Sequence, residues 1–316
     1  MTRLALAFAT GLPKPAGPTV VIYPNSQFDL VDLVNVQIVH PFHPINRVWS
    51  NRNLKTTVML PAAHYDLAVV CCTRSKKQTA DLIAQAAHCS DIVVVDGQKT
   101  DGIESHYKAL RKQLDVNGTI TKAHGRLFWF AGTDLDHMRS KLQVVDGFTT
   151  QAGVFSVGSI DSGSELLIQS LPKDMVGNIA DLGAGWGYLS SKILGFEAVT
   201  NIDLVEANHI ALECAKLNVA DPRANFHWAD ATQWAGCYDA VVMNPPFHTG
   251  RAGDIDLGRS FMAAASRILS SKGSLYMVAN RHLPYETFLN ECFGKVVEQP
   301  GDSRFKLFHA TRPKRK

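Results

Sequence analysis

The sequence predicts an α/β chain built as two doubly wound domains in tandem, over residues 1–148 and 149–316. Two observations carry that expectation. Short apolar runs bounded by turn residues recur along both halves with helix-period stretches between them, which is the alternation of βαβ units and a largely parallel sheet. A glycine-rich turn follows the opening strand of the second half and is missing from the first, so only the second domain is expected to carry a cofactor site.

Length and composition agree with two cores. The chain has 316 residues, an apolar share of 46% and a charged share of 19%, the values of an ordinary globular protein rather than a disordered or fibrous one. A net charge of +3 leaves no overwhelming polyanion footprint, and the basic excess sits in the N-terminal half and at the extreme C-terminus. Cys71, Cys72, Cys89, Cys214, Cys237 and Cys292 form no C-x-x-C pair and have no histidines at zinc spacing, so no metal is expected, and the thiols point to a reducing compartment. No stretch reaches the ~18 apolar residues of a membrane span. The apolar run within Met1 to Ala9 is too short for a signal sequence, and the expected location is cytoplasmic with no membrane partner.

In the first half, strands are expected at 20–23, 36–39, 67–72, 92–95 and 127–130, with helices at 76–88 and 104–114. The first strand runs into Pro24-Asn25-Ser26, which offers a phosphate or nucleoside no seat. Asp96 to Gly102 reads as a turn, and Lys76, Lys77, Arg74, Lys108, Arg111 and Lys112 read equally well as RNA phosphate contacts or as solvated helix faces. From about Val145 to Ser164 the apolar residues thin out, which places the inter-domain connection there, ahead of a short helix at 164–171.

The second half opens with Ile179-Ala180-Asp181-Leu182-Gly183-Ala184-Gly185-Trp186-Gly187, a strand, a glycine turn and a helix start. Its spacing differs from the dinucleotide fingerprint and suits a nucleoside whose amino-acid end lies over the loop. The next strand, Val199 to Glu206, ends on a carboxylate able to accept both ribose hydroxyls, so Glu206 is preferred over Asp203, whose other reading is a buried, hydrogen-bonded carboxylate. The stretch Phe226-His227-Trp228-Ala229-Asp230-Ala231 is expected to follow the third strand, with Asp230 as its candidate ligand. Asp230 suits either an adenine amino group, with Ala231 leaving room for the ring, or a helix N-cap.

The apolar run Ala240 to Met243 is a buried strand, and Asn244-Pro245-Pro246-Phe247 sits at its carboxyl end, the edge where open α/β sheets bind ligands. Asn244 offers a carbonyl acceptor, and the prolines fix φ and remove their own donors. Such a rigid acceptor pair can grip both hydrogens of a planar amine, with Phe247 stacking on the attached ring. Asn-Pro-Pro is also a common turn after a strand, Phe247 taken alone reads as core, and His248 reads as either a catalytic or a loop residue. A helix at 258–269 and a strand at 273–278 follow, and Arg312 to Lys316 reads as a basic tail, either touching nucleic acid or frayed.

With these residues in place, the second half resembles the class I S-adenosylmethionine-dependent methyltransferases, which implies Rossmann-like domains. Asn244 to His248, Val278 to Tyr285 and Arg304-Phe305-Lys306, with Gly153 to Ser156 and Asp161 to Ser164, resemble the guanine-N2 ribosomal RNA methyltransferases of the small subunit methyltransferase C type and their large-subunit relatives. In the first half the likeness rests on length, βαβ pattern and Gly97 to Ser105. The resemblance implies a duplicated methyltransferase domain, the first copy degenerate and supporting RNA binding or folding. It also implies methylation of guanine N2 in rRNA, 16S in first place, with S-adenosylmethionine as cofactor. Carried over by position, Asp181, Gly183, Ala184, Gly185 and Gly187 would line the methionine end, Glu206 the ribose, and Asp230 and Ala231 the adenine. Asn244 and Pro245 would hold the amine beside Pro246 and Phe247. Trp186 departs from the small residue usual in that loop. Rival readings are another planar amine (adenine N6 in DNA or RNA, or a protein glutamine) and a non-catalytic RNA-binding assembly protein.

Overall fold

The computed structural model describes residues 1–246 and 255–315. The chain divides into two compact units, one of Met1–Leu142 with Gln151–Gly153 and the other of Gln143–Thr150 with Val154–Lys316. In the first unit the strands are β1 (Thr19–Ile22), β2 (Val36–Val39), β3 (Lys55–Thr57), β4 (Tyr65–Cys71), β5 (Ser90–Gln98), β6 (Gly118–Lys122) and β7 (Gly125–Ala131). They form one sheet in the order β3-β2-β1-β4-β5-β7-β6, parallel through β5 and antiparallel at β7 and β6. Helices α1 (Arg3–Ala9), α2 (His43–Ser50), α3 (Lys76–Cys89) and α4 (Ile103–Leu110) accompany them.

Side-chain alternation assigns each strand residue a face. Val20 and Ile22 of β1 enter a core with Leu82, Ile83 and Phe128, while Val21 enters another with Trp49, Leu67 and Val94. Both faces are apolar because both are covered, which is why the strands read as unbroken apolar runs.

The second unit opens with a hairpin of β8 (Gln143–Val145) and β9 (Phe148–Thr150), followed by α5 (Ser162–Ser170), β10 (Gly177–Leu182), α6 (Tyr188–Ile193), β11 (Val199–Glu206) and α7 (His209–Asn218). Then come β12 (Ala224–Trp228), β13 (Tyr238–Met243), α8 (Ile255–Ile268), β14 (Leu269–Asn280), α9 (Glu286–Cys292), β15 (Phe293–Gln299) and β16 (Phe305–Pro313). The strand order β12-β11-β10-β13-β14-β16-β15 repeats that of the first unit position for position. The order reverses direction between β10 and β13, and a crevice opens at the strands' carboxyl ends at such a point.

The apolar runs located the central strands, and several of the strands they missed have polar sequences. Lys55-Thr56-Thr57 and Gly118 to Lys122 carry little apolar signal because they are edge strands, held by backbone bonds to one neighbour. In β16, Lys306, His309 and Thr311 interrupt the pattern, yet the strand pairs on both sides. The expected third strand ended before Phe226, whereas β12 contains Phe226, His227 and Trp228. The basic C-terminal residues are docked through Arg315. The Arg315 guanidinium donates to the carbonyls of Arg267 and Leu269, each at 2.7 Å, placing a cation at the C-terminal end of α8.

The turn from β10 into α6 tolerates little change at Gly187. Its φ is +87°, and a Cβ there would stand 2.9 Å from Val219 Cγ2 and 3.2 Å from Ala215 Cβ of the α7 layer. Gly187→Ala is expected to cost about 1–3 kcal/mol of stability; scanning calorimetry should show an unfolding midpoint below that of the wild type.

Candidate active site

Strand register brings the predicted residues to one edge. Asp181 pairs with Val242, so two residues further on Gly183 faces Asn244 across the reversal point. On the other side Leu182 pairs with Val205, which sets Gly183 opposite Glu206, and Glu206 pairs with Trp228, two residues before Asp230. A Cβ on Gly183 would lie 4.0 Å from Pro246 Cδ, so the glycine turn and the Asn-Pro-Pro turn are neighbours. Gly183, Ala184, Gly185 and Asn244 line one cleft together with Asp161 and Ser164.

Glu206 braces the glycine turn. One carboxylate oxygen accepts the Gly185 N–H at 2.8 Å and the other accepts the Asn208 N–H at 2.7 Å, just before α7. Burial raises its pKa, and those two backbone donors oppose the rise. At Gly185, with φ +58°, a Cβ would meet nothing within 4 Å among the described residues, which leave the turn open on that side.

Asp181 lies beneath the turn rather than on the cleft wall. It is fully buried, and one oxygen accepts the Ser190 hydroxyl at 2.6 Å while Oδ1 has no hydrogen-bond partner among the described residues. Burial, with Glu206 adding to it, raises its pKa from 3.8 to about 7. Gly187 likewise serves packing, as the close approach to Val219 indicates.

Asp203 and Glu206 are three residues apart on one strand and so face opposite sides of the sheet. Asp203 accepts from the Tyr238 hydroxyl at 2.6 Å and from Asn225 Nδ2 at 3.1 Å, with His227 also at 3.1 Å. Burial alone would raise its pKa, but the bonds from Tyr238 and His227 hold it below the ordinary value. Asp230 caps the short helical turn after β12, accepting Thr232 N at 2.9 Å and Thr232 Oγ1 at 2.7 Å. Ala231 is buried beside Leu182 and Val205.

Asn244 directly follows β13. Its Nδ2 donates to Asp161 Oδ2 at 2.8 Å and to Ser164 Oγ at 2.9 Å, so what the amide has left to offer a ligand is its carbonyl. Pro245 is buried and Pro246 exposed. Phe247 and His248 lie outside the described residues. Nothing in the sequence near Asp161 and Ser164 signals their contact with Asn244, which spans 83 and 80 residues.

Trp186 turns into a small core with Val154, Ala211 and Cys214, and its indole N–H holds the Phe155 carbonyl at 2.9 Å. The motif after β14 is structural. Arg281 donates to the carbonyls of Asp302 and Phe305, Tyr285 is fully buried, and Lys306 pairs with Glu286.

Residues 146–309, just over half of the chain, match the methyltransferase small domain. The chain belongs to this methyltransferase family. Among curated relatives, the methyltransferase is 33% identical to ribosomal RNA small subunit methyltransferase C of Shewanella piezotolerans, over 57% of this chain and 52% of that one. To the protein of the same name from Psychromonas ingrahamii it is 29% identical, over 77% and 75%. The chain thus spans about half the length of the first and three quarters of the second. Among solved structures, T. thermophilus 16S rRNA N2 methyltransferase, in complex with AdoMet and guanosine, superposes with a TM-score of 0.81 at 22% identity, covering 95% of this chain and 90% of that one. That likeness shows the shared fold, two Rossmann-like α/β units in tandem.

The buried Asp181 of this methyltransferase predicts a pH dependence. Between pH about 4 and about 7 the folded chain holds a proton there that the unfolded chain releases, so rising pH favours unfolding over that window. Asp181→Asn keeps an acceptor for Ser190 and removes the titration. Its stability relative to wild type should therefore rise from pH 5 to pH 8 in urea unfolding; a constant difference would count against the raised pKa.

Proposed function

We propose that this methyltransferase moves a methyl group from S-adenosylmethionine to the exocyclic N2 amine of a guanine in ribosomal RNA, 16S in first place. The observation that carries the reading is Asn244, at the sheet's reversal point beside the glycine turn, with its amide nitrogen engaged by Asp161 and Ser164 and its carbonyl left as the group for a ligand. The names of the relatives support rRNA as substrate, and the bound guanosine and AdoMet of the T. thermophilus enzyme support the base and the cofactor.

The residues fit that cofactor. Among the described residues the turn is open at Gly185, a braced carboxylate stands at Glu206, and a buried Asp181 oxygen lacks a partner. Gly183, Ala184 and Gly185 would hold its methionine end, with Asp181 and Gly187 supporting the loop from below, while Glu206 would accept the ribose hydroxyls. Asp230 and Ala231 would border the adenine. When bound, the cofactor supplies a methyl group on a positively charged sulfur that leaves as a neutral thioether.

On the target side, the Asn244 carbonyl and the Pro245 carbonyl would accept the two amine hydrogens and turn the nitrogen lone pair out of the ring's conjugation. Pro246 stiffens the turn, and Phe247 is assigned to stacking on the base. No general base is needed, because the alkylated nitrogen becomes acidic and releases its proton to water. Extruding the base from structured RNA costs a few kcal/mol, which stacking and the amine contacts offset.

The first unit fits a degenerate copy that supports RNA binding or folding. Where the second unit has Gly183 after its first central strand, the first has Tyr23, whose ring stands 5.2 Å from that of His40. Burial lowers the His40 pKa to about 4, so this edge carries an uncharged imidazole at neutral pH. Among the described residues no helix is long and apolar enough to cross a membrane, and we assign the protein to the cytoplasm with its rRNA substrate.

Methyl transfer from labelled S-adenosylmethionine to unmodified 16S and 23S rRNA, followed by nucleoside digestion, tests the reading. N2-methylguanosine from 16S is the expected product; N6-methyladenosine, or label only in protein, would replace it. Asn244→Ala should abolish transfer with cofactor binding intact by calorimetry, and retained turnover would sink the amine grip. Glu206→Ala should instead weaken cofactor binding by roughly 10- to 100-fold, as loss of a charged hydrogen-bond partner does.

A further inference from the structure

An asparagine amide is nearly symmetric in shape and opposite in chemistry at its two ends. Rotated half a turn about its last torsion, it presents two donors where it had an acceptor. Against an amine, that turn sets N–H against N–H and ends the grip. The amide of Asn244 therefore has to be held one way round, and the prolines after it fix only backbone.

The first turn of α5 supplies that hold. Asp161 Oδ2 and Ser164 Oγ accept from Asn244 Nδ2 at 2.8 and 2.9 Å, and both residues line the cleft beside Asn244. The same Asp161 oxygen accepts the Ser164 N–H at 2.8 Å as the N-cap of α5, so the carboxylate is itself fixed by the helix. Capping requires only that backbone contact, and the bonds to Asn244 are additional to it. With the amide reversed, its oxygen would face a carboxylate oxygen, a repulsive pairing close to the ion.

We propose that Asp161 and Ser164 are positioning residues for methyl transfer, locking the Asn244 amide with its carbonyl toward the target amine. Their effect runs through Asn244 and so rests on the amine-grip reading. The Asp161 charge also polarises the amide: electron density drawn toward the carbonyl oxygen makes it a stronger acceptor for the amine hydrogens. The lock thus sets both direction and strength of the contact, with neither residue touching the base.

The discriminating variant is Asp161→Ser, since serine still caps a helix but is too short to reach Asn244. Turnover on 16S rRNA should fall by roughly 10²-fold, the scale of a misplaced reacting group. The KM for RNA, the cofactor affinity by calorimetry and the unfolding midpoint should stay near wild type. Asp161→Asn, which keeps an acceptor oxygen at the same reach without the charge, should recover part of the rate. Ser164→Ala should cost about 3- to 10-fold, the worth of one neutral hydrogen bond. The proposal is overturned if Asp161→Ser turns over at the wild-type rate, or if the rate lost tracks lost cofactor affinity or lost stability. Asn244→Ala run alongside separates the two readings. An active Asn244→Ala defeats the amine grip itself, whereas an inactive Asn244→Ala with a fully active Asp161→Ser defeats only the lock.

Discussion

The parallel register between β10 and β13 is the constraint on which the site depends. Asp181 opposite Val242 means that Gly183 and Asn244 leave the sheet side by side, one into the glycine turn and the other into the proline turn. Because side chains alternate with a period of two, a slip of one residue would turn Asn244 to the other face and bury it where Met243 now packs. The apolar cores on both faces of this sheet oppose such a slip, with Met243 and Val241 in one and Val242 and Ala240 in the other. Packing that has no chemistry of its own therefore sets the distance between the glycine turn and the proline turn of the candidate site.

Within that frame, the carboxylates beside the cleft are each held by at least one backbone donor. Glu206 accepts two main-chain N–H groups and Asp161 accepts one while also holding the Asn244 amide. Asp230 closes its own turn. Each carboxylate is thereby fixed by an element that the fold has already placed, so the site's geometry is inherited from the strand ends and helix starts. Asp181 is the exception: fully buried with one bonded oxygen, it carries a pKa raised by burial to about 7. Its presence under the glycine turn costs stability at neutral pH, and such a cost is tolerated where an unsatisfied acceptor has a use.

The two units show how far topology and chemistry separate. Their strand orders are identical, with an antiparallel pair of strands at the same end of each sheet. What differs is the first residue after the central strand, a tyrosine ring in one and a glycine in the other. The Tyr23 ring stands beside His40 and its hydroxyl accepts from Gln78 Nε2 at 3.0 Å. Shared topology therefore says little about the chemistry at each unit's strand ends.

Much of this was legible in the sequence. Buried parallel strands announce themselves as apolar runs because both of their faces are covered, so β1, β4, β5, β10, β11 and β13 were readable, as was the glycine turn whose conformation only glycine adopts readily. That Glu206, Asp230 and Asn244 stand at neighbouring strand ends was also legible, because each follows or closes an apolar run. Edge strands such as β3 and β6 were not, since backbone bonds hold them and backbone bonds leave no mark on residue type. Nor could sequence tell Asp181 under the turn from Glu206 beside it, as depth is a property of packing. The contact of Asn244 with Asp161 and Ser164 belongs to tertiary structure alone: it joins residues 83 and 80 positions apart, and no periodicity in a chain records which distant side chains a fold brings within hydrogen-bond reach.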